Sequence, residues 1–509
     1  MDTIFTSHDI ECMQKLGISE QSSLERYNLL QQGVKPISLV RPCLKQDGIF
    51  LLRRNQFDQY LTFYEEAKKQ GRLSKFVPAS GAASRMFDSL DKMLLQNQEL
   101  SINNIKSKTC PDQDEKEFLY FTQNLSHFSF YEDLKESLKK HGLSLQSLQE
   151  QDNYRPILEN LLYLLQYRTI PKALLQFHRY RNRSITAMEE HLHEANAYSQ
   201  GNVHFTIAPN REEEYYALQQ EIMTHLLFPC HVSYSFQELS TQGIVLDVDT
   251  NLPLRDSQGN LVFYPSGHGA LLSNLSNLQG DIVFIKNIDN VCPPHKQALT
   301  IFYKKVLAGL LLSVQHQIFS YLRMMQDHFV NDAILQEIKQ FLLQTFGIML
   351  PNYDDLSSSE RKEKLFNILN RPLRVCGMVY YKGEVGGGPF WIQKNGQLSA
   401  QIVEKSQVNL QDEQQKQIWK KATYVNPVDL VCGLKDFQGN NFDLMKYADF
   451  DQYFISQKSY FKKNIRVLEL PGLWNGSMAF WNTIFVDIPI HTFNPVKKIT
   501  DLLSVWHQS

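Results

Sequence analysis

A run of small residues, Ser80-Gly81-Ala82-Ala83-Ser84, leads into Arg85 and Met86 directly after the apolar stretch Lys75-Phe76-Val77-Pro78-Ala79. Small side chains let backbone N–H groups approach an anion closely, and a helix start adds the positive end of its dipole. Arg85 supplies a guanidinium fork suited to phosphate oxygens. The turn is not a Walker loop, because no Gly-Lys-Ser/Thr follows, and it lacks the three-glycine dinucleotide spacing. Alone it reads equally well as a plain strand-to-helix turn. Lys172 follows Pro171, 172 − 85 = 87 residues after Arg85. Further on, Gly267-His268-Gly269 combines two glycines, which let a planar base or sugar lie against the backbone, with an imidazole able to donate to a phosphate or hydroxyl. Asp289 ends an apolar run, where α/β sheets present catalytic groups. It suits a metal ligand or a structural carboxylate.

Two carboxyl-terminal segments extend the series. Gly386-Gly387-Gly388 precedes a strand and the segment 398–404, LSAQIVE, and residues 493–503 read FNPVKKITDLL. In this order the motifs resemble those of UDP-sugar pyrophosphorylases and other sugar-1-phosphate nucleotidyltransferases. The Gly81 turn matches Gly-x-x-Ser/Thr-Arg-Leu/Met, Pro171-Lys172 the Pro-Lys pair, and residues 265–270 the Pro-Gly-His-Gly-Asp element. Residues 287–290 match Asn-x-Asp-Asn, and 493–503 the Phe-x-Pro-Val-Lys-x-x-Ser/Thr-Asp-Leu-Leu closing motif. The similarity spans about 75–503 and runs through an uncharacterised bacterial family that carries these motifs.

The resemblance implies a Rossmann-like, GT-A-like nucleotidyltransferase core that joins a nucleoside triphosphate, UTP favoured, to a sugar 1-phosphate and releases pyrophosphate. It implies catalytic roles for Arg85, Lys172 and Lys497, and nucleotide contacts from Ser80, Gly81, Ala82, Ala83, Ser84, Gly267, His268 and Gly269. Sugar contacts fall to Asn287, Gly387, Gly388, Glu404 and Asn426. Mg²⁺ falls to Asp289, with Asn475 as second ligand and Asn426 or Asp487 as alternatives. Three departures concern base and sugar identity: Ala82 replaces a glycine, Ala270 replaces the aspartate, and Asn426-Pro427-Val428-Asp429 stands in place of an asparagine-rich sugar loop.

The elements that must position these groups read as an α/β fold, a mixed sheet flanked by helices. Strand-like runs fall at 203–207, 244–248, 281–286, 374–381, 399–403, 465–470 and 483–488. Several are continuous apolar runs, as in strands buried on both faces. Helical spacing at Phe57, Tyr60, Leu61, Phe63 and Tyr64 predicts a helical segment over 1–70 ahead of a catalytic domain at 71–503, with a tail at 504–509. Helical insertions are expected at about 100–168 and 299–370. The first must loop away and return, so that Lys172 comes back to the Gly81 turn.

Charge excludes a global attraction to nucleic acid or anionic lipid, since 52 Lys+Arg stand against 54 Asp+Glu. The substrates expected are small molecules, with no nucleic acid and no membrane partner; the oligomeric state is left open. Seven scattered cysteines give no zinc or disulfide framework. The amino terminus lacks a signal pattern, and the most apolar helix, 306–314, reads as too short to cross a bilayer, so a cytoplasmic location is expected. Two further readings stay open. A glycosyltransferase would use Asp247-Val248-Asp249 as a D-x-D metal motif, and a nucleotide- or sugar-binding protein without turnover would keep the pocket alone.

Overall fold

The computed structural model describes residues 4–96, 99–180, 183–327, 330–381, 383, 386–394, 396–461 and 463–508. They form two compact units between which the chain passes repeatedly. The first comprises Met1–Phe76, Ser235–Ile285 and Tyr303–Ile490; the second comprises Val77–Tyr234, Lys286–Phe302 and His491–Ser509.

The first unit is built on a mixed sheet whose neighbouring strands run Leu44–Lys45, Gly48–Phe50, Asn482–Ile488, Leu373–Tyr380, Tyr424–Gly433, Ile282–Lys286 and Leu73–Pro78. Leu373–Tyr380 pairs parallel with Asn482–Ile488 and antiparallel with Tyr424–Gly433. Ile282–Lys286 pairs parallel with Leu73–Pro78. These central strands are buried along nearly their whole length because both faces are covered. The helix Leu271–Asn277 packs Leu271, Leu272 and Leu275 against Phe76, Val283 and Ile285. An antiparallel sheet ordered Phe263–Tyr264, Gly243–Asp247, Lys463–Glu469, Phe454–Tyr460 and a three-stranded one of Leu39–Pro42, Gly388–Lys394 and Gln397–Val403 complete the unit.

Two expectations change. The amino-terminal segment is not a separate helical preface: besides the helices Ser7–Lys15, Glu20–Gln32 and Phe57–Lys69 it supplies three short strands, and it belongs to the first unit. Strands of two to four residues carry too little alternation to be read from sequence. The apolar helix is also longer than expected, running Ala298–Gln326, long and apolar enough to span a bilayer. However, 56% of its apolar window is buried inside the fold. Gly309 shows how closely it packs, since a Cβ there would lie 1.9 Å from the Tyr60 carbonyl oxygen.

In the second unit the 100–168 region is helical, with helices at Ile102–Lys106, Gln113–Gln123, Tyr131–Lys140, Leu145–Glu150 and Arg155–Glu159. It is no detached excursion. Phe118, Phe121, Leu134, Leu161 and Leu162 share one core with Val77, Ala79, Ala83, Met86, Phe87, Ile288, Val496 and Ile499. The residues flanking the expected phosphate site therefore stand on this helical core.

Candidate functional site

Leu73–Pro78 ends in the small-residue turn, and Ser84–Phe87 forms a single 3₁₀ turn before the helix Asp88–Gln96. The turn is fixed by pairing with the segment ahead of Lys172: Ala83 N–H donates to the Ile170 carbonyl at 3.1 Å, and Lys172 N–H donates to the Gly81 carbonyl at 3.1 Å. The backbone N–H groups of Ala82, Ser84 and Arg85 meet no acceptor among the described residues, and their side chains are exposed. This leaves donors open for an anion.

Lys172 points from this pairing to Asp289. Its Nζ donates to Asp289 Oδ2 at 2.9 Å and to the Val496 carbonyl at 2.8 Å. Lys497 reaches the same carboxylate, its Nζ donating to Oδ1 at 3.2 Å and Oδ2 at 3.0 Å. The closing motif is seated against the Asp289 segment by backbone contacts: Val496 N–H donates to the Asp289 carbonyl at 2.9 Å, and Asn494 N–H to Asn290 Oδ1 at 2.8 Å. Lys497 is thus delivered to Asp289 by main-chain pairing as well as by charge. Asp501 caps the next turn by accepting from the backbone N–H groups of Lys497 and Lys498. Lys498 turns the other way, to Glu117 Oε2 at 3.1 Å.

Side-chain exposure is 13% for Lys172, 8% for Asp289 and 55% for Lys497. Burial draws the Lys172 pKa below the ordinary lysine value; Asp289 opposes this, and the charges of Lys497 and Arg85 add to it. Burial pushes Asp289 upward, but Lys497 and Lys172 more than reverse it, so the carboxyl lies below its usual range. The end of the preceding strand is anchored by Lys286 Nζ donating to Glu194 Oε1 at 2.5 Å and by His191 Nε2 beside the Ile288 carbonyl at 3.1 Å. Asn287 lies at the same strand end, its carbonyl accepting from Asn290 N–H at 3.2 Å.

Both Asp289 oxygens meet ammonium groups here, and among the described residues no group of three His, Cys, Asp or Glu side chains is arranged to hold a metal. Of the other metal candidates, Asn475 engages its N–H and Nδ2 but leaves Oδ1 buried with no hydrogen-bond partner among the described residues, and Asp487 is paired. Asn475 is a buried turn residue, its N–H donating to the Gly472 carbonyl at 2.9 Å and its Nδ2 to Glu404 and Gln407, each at 3.4 Å. Asp487 accepts from Tyr424 Oη at 3.0 Å and pairs with Lys45 at 3.2 Å.

A second cluster lies in the first unit. Gly267 takes φ +74, a conformation that favours glycine, and a Cβ on Gly269 would lie 2.2 Å from the Pro471 carbonyl oxygen. The motif therefore interlocks with the loop after Lys463–Glu469. Leu473 N–H donates to His268 Nδ1 at 3.0 Å, which leaves the ring proton on Nε2, 3.9 Å from Glu404 Oε1. Burial draws His268 down to about 4, so the imidazole is neutral at pH 7 and acts as a donor through Nε2. Trp474 stacks on it at 4.3 Å between ring centroids. Gly387 lies next to Glu404, its carbonyl accepting from Asn426 N–H at 2.9 Å, and a Cβ on Gly388 would come 2.8 Å from the Tyr424 carbonyl oxygen.

The segment 426–429 is not a loop but a bulge within Tyr424–Gly433, where the register shifts opposite Gly377 and Val379 and Val428 takes φ 57. Pro427 lacks the N–H an unbroken ladder needs, and Asn426 Oδ1 accepts from Val428 N–H at 3.0 Å. Asp247 caps a turn, accepting from the N–H groups of Asp249 and Thr250 at 2.9 and 3.1 Å, so D-x-D here is turn chemistry. Sequence reasoning missed Glu117, His191 and Glu194, whose contacts hold the phosphate-side residues, and placed Asn290 in a motif without its role of seating Asn494. Each pairs with a residue distant in the chain, which leaves no local signal.

The family model described as "Domain of unknown function (DUF4301)" matches residues 6–508. The chain belongs to this family. No curated protein matches its sequence. Solved structures similar to this chain include the UDP-N-acetylglucosamine pyrophosphorylase from Trypanosoma brucei in complex with inhibitor, at 13% identity over 94% of this chain and 71% of that one, TM-score 0.47. A mutant UDP-glucose pyrophosphorylase from Leishmania major in complex with UDP-glucose is similar at 12% identity over 99% and 78%, TM-score 0.44. The UDP-glucose phosphorylase from Trypanosoma brucei is similar at 12% identity over 97% and 77%, TM-score 0.45.

Proposed function

We propose that the protein is a sugar-1-phosphate nucleotidyltransferase, taking a nucleoside triphosphate, UTP in the first instance, and a sugar 1-phosphate to a nucleotide sugar and pyrophosphate. The observation that carries this reading is the convergence of Lys172 and Lys497 on Asp289, alongside a turn that offers unused backbone donors and Arg85. With Arg85, Lys172 and Lys497 charged and Asp289 ionised, the formal sum is 3 − 1 = +2. A surplus of positive charge on fixed, partly desolvated groups suits a polyphosphate.

In this reading the open amides and Arg85 receive phosphate oxygens, and Lys172 and Lys497 turn from Asp289 towards charge developing on the leaving pyrophosphate. A phosphate oxygen of the sugar phosphate attacks the α-phosphorus, and the bond from that phosphorus to the bridging oxygen breaks. Little proton transfer is needed because a phosphate monoester is already ionised, so positioning and electrostatics carry the catalysis. Magnesium enters with the triphosphate, as part of the substrate. Within the first unit, His268, through Nε2–H, and Glu404, beside Gly387 and Asn426, offer donors and acceptors suited to uncharged base and sugar groups.

The test is a pyrophosphate-release screen of the full chain with Mg²⁺, four nucleoside triphosphates and a panel of sugar 1-phosphates. Release that needs both substrates supports the proposal. Binding of a nucleotide with no release in any combination contradicts it.

A further inference from the structure

Among the described residues Arg374 is the largest fully buried side chain, set in the strand Leu373–Tyr380. Its Nε donates to Thr483 Oγ1 at 2.8 Å and its Nη1 to the Trp474 carbonyl at 2.6 Å. Nη2 has no acceptor among the described residues. Burying a guanidinium with a donor unused is costly, and an apolar side chain could fill a strand position of this kind. The bond to Trp474 is what the charge obtains in return.

That bond acts on the loop holding His268. Trp474 lies over the imidazole with its plane inclined 20° to it, and the preceding Leu473 N–H occupies Nδ1. A Cβ on Gly472 would sit 2.6 Å from His268 Cε1, so the chain passes beneath the ring with no room to spare. Above Arg374, then, one residue supplies the stacking face and the one before it fixes the ring proton. We propose that Arg374 is a positioning residue for the His268 subsite: by gripping the Trp474 carbonyl from the core side it sets the indole and the Leu473 amide that keep Nε2–H available to the ligand. The proposal rests on the reading that His268 touches substrate, but its geometry does not.

The test uses the full chain with ¹⁵N-labelled histidine and no substrate. In the unsubstituted protein His268 gives the single-tautomer pattern, Nδ1 bare and Nε2 protonated. Arg374→Met loses that pattern and shows exchange between tautomers. Thr483→Val, a near-isosteric change that removes the other anchor of the guanidinium, loosens it in the same direction and serves where Arg374→Met does not fold. In an active preparation the same variants raise KM for the nucleotide about tenfold while kcat changes little, since binding geometry is altered and the cationic cluster is not. A wild-type tautomer pattern in Thr483→Val, and in Arg374→Met where it folds, overturns the proposal. Absence of pyrophosphate release from the unsubstituted protein overturns the function instead, and leaves the tautomer result to decide this point by itself.

Discussion

Lys497 and Lys498 offer a paired perturbation in which stability and catalysis should move in opposite order. Each is about half exposed, at 55% and 50%, and each meets one acidic side chain. Removing Lys497 leaves Asp289 still paired with Lys172 at 2.9 Å, so the stability cost should resemble that of an exposed ion pair, below about 1 kcal/mol. Removing Lys498 leaves Glu117, 4% exposed, with the Ser89 and Thr500 hydroxyls at 3.1 and 3.4 Å as its side-chain partners among the described residues. Lys498→Ala should therefore cost as much or more, about 1–2 kcal/mol, through an under-satisfied buried carboxylate. Activity should rank the other way. A preorganised group facing developing charge contributes about 2.7–4 kcal/mol, so Lys497→Ala should lower kcat about 10²- to 10³-fold, whereas Lys498→Ala should stay within about threefold of wild type. Urea unfolding gives the stabilities, and steady-state pyrophosphate release gives kcat and KM. Equal kcat losses in the two variants, or an unchanged kcat in Lys497→Ala, would refute the reasoning.

Three further outcomes follow from the same geometry. Gly81→Ala should leave the melting temperature unchanged, because no heavy atom lies within 4 Å of the new Cβ, yet weaken nucleotide binding about tenfold or more by blocking backbone approach; Gly269→Ala, aimed at the Pro471 carbonyl, should destabilise the fold by roughly 2 kcal/mol or more in urea unfolding. Asp289→Asn should cost about 3 kcal/mol at pH 7 by stranding buried Lys172. Because the folded pKa of Asp289 is depressed, its contribution is present above the unfolded value of about 3.9 and fades as pH falls through the folded value, so wild type and variant should converge in acid unfolding curves. Burial raises the Glu190 pKa well above its ordinary value and holds His178 and His507 down to about 3, so both imidazoles are neutral at pH 7. A raised folded pKa gives stability that is lost as pH rises, so Glu190→Gln, which can keep the contacts to His178 and Gln297, should raise the melting temperature increasingly as pH rises above the ordinary carboxylate range; a gain that shrinks with rising pH would contradict the raised pKa.

How much of this was legible in the sequence depended on whether a residue's role was local. The strand at 282–286 announces itself as an apolar run up to Lys286, and those at 203–207, 373–380 and 482–488 as β-branched and aromatic runs despite His204, Arg374, Thr483 and Asp487 within them. The strand Gly48–Phe50 is too short to carry a period, and Tyr424–Gly433 was masked by Asn426, Pro427 and Asp429, whose polarity is absorbed by a bulge and a buried ion pair with Lys304. For the site, ordered motifs marked Lys172, Asp289 and Lys497, but no spacing rule says that 325 residues of chain return to one carboxylate. Arg374, and the partner of Asn290, were illegible for the same reason: each works through a backbone group far away in sequence. A carboxylate at a strand end looks the same in sequence whether its partner is a divalent ion or two ammonium groups, so the pairing of Asp289 with Lys172 and Lys497 carried no local signal.

The central claim, nucleotidyl transfer to a sugar phosphate, is tested most directly by the fate of label in the triphosphate. With [α-³²P]- and [γ-³²P]-labelled UTP run in parallel against a sugar 1-phosphate, the account predicts α-label in a nucleotide sugar and γ-label in pyrophosphate, in equal amounts. Gamma-label appearing as inorganic phosphate, or α-label remaining in free nucleotide while UTP is bound, would contradict it.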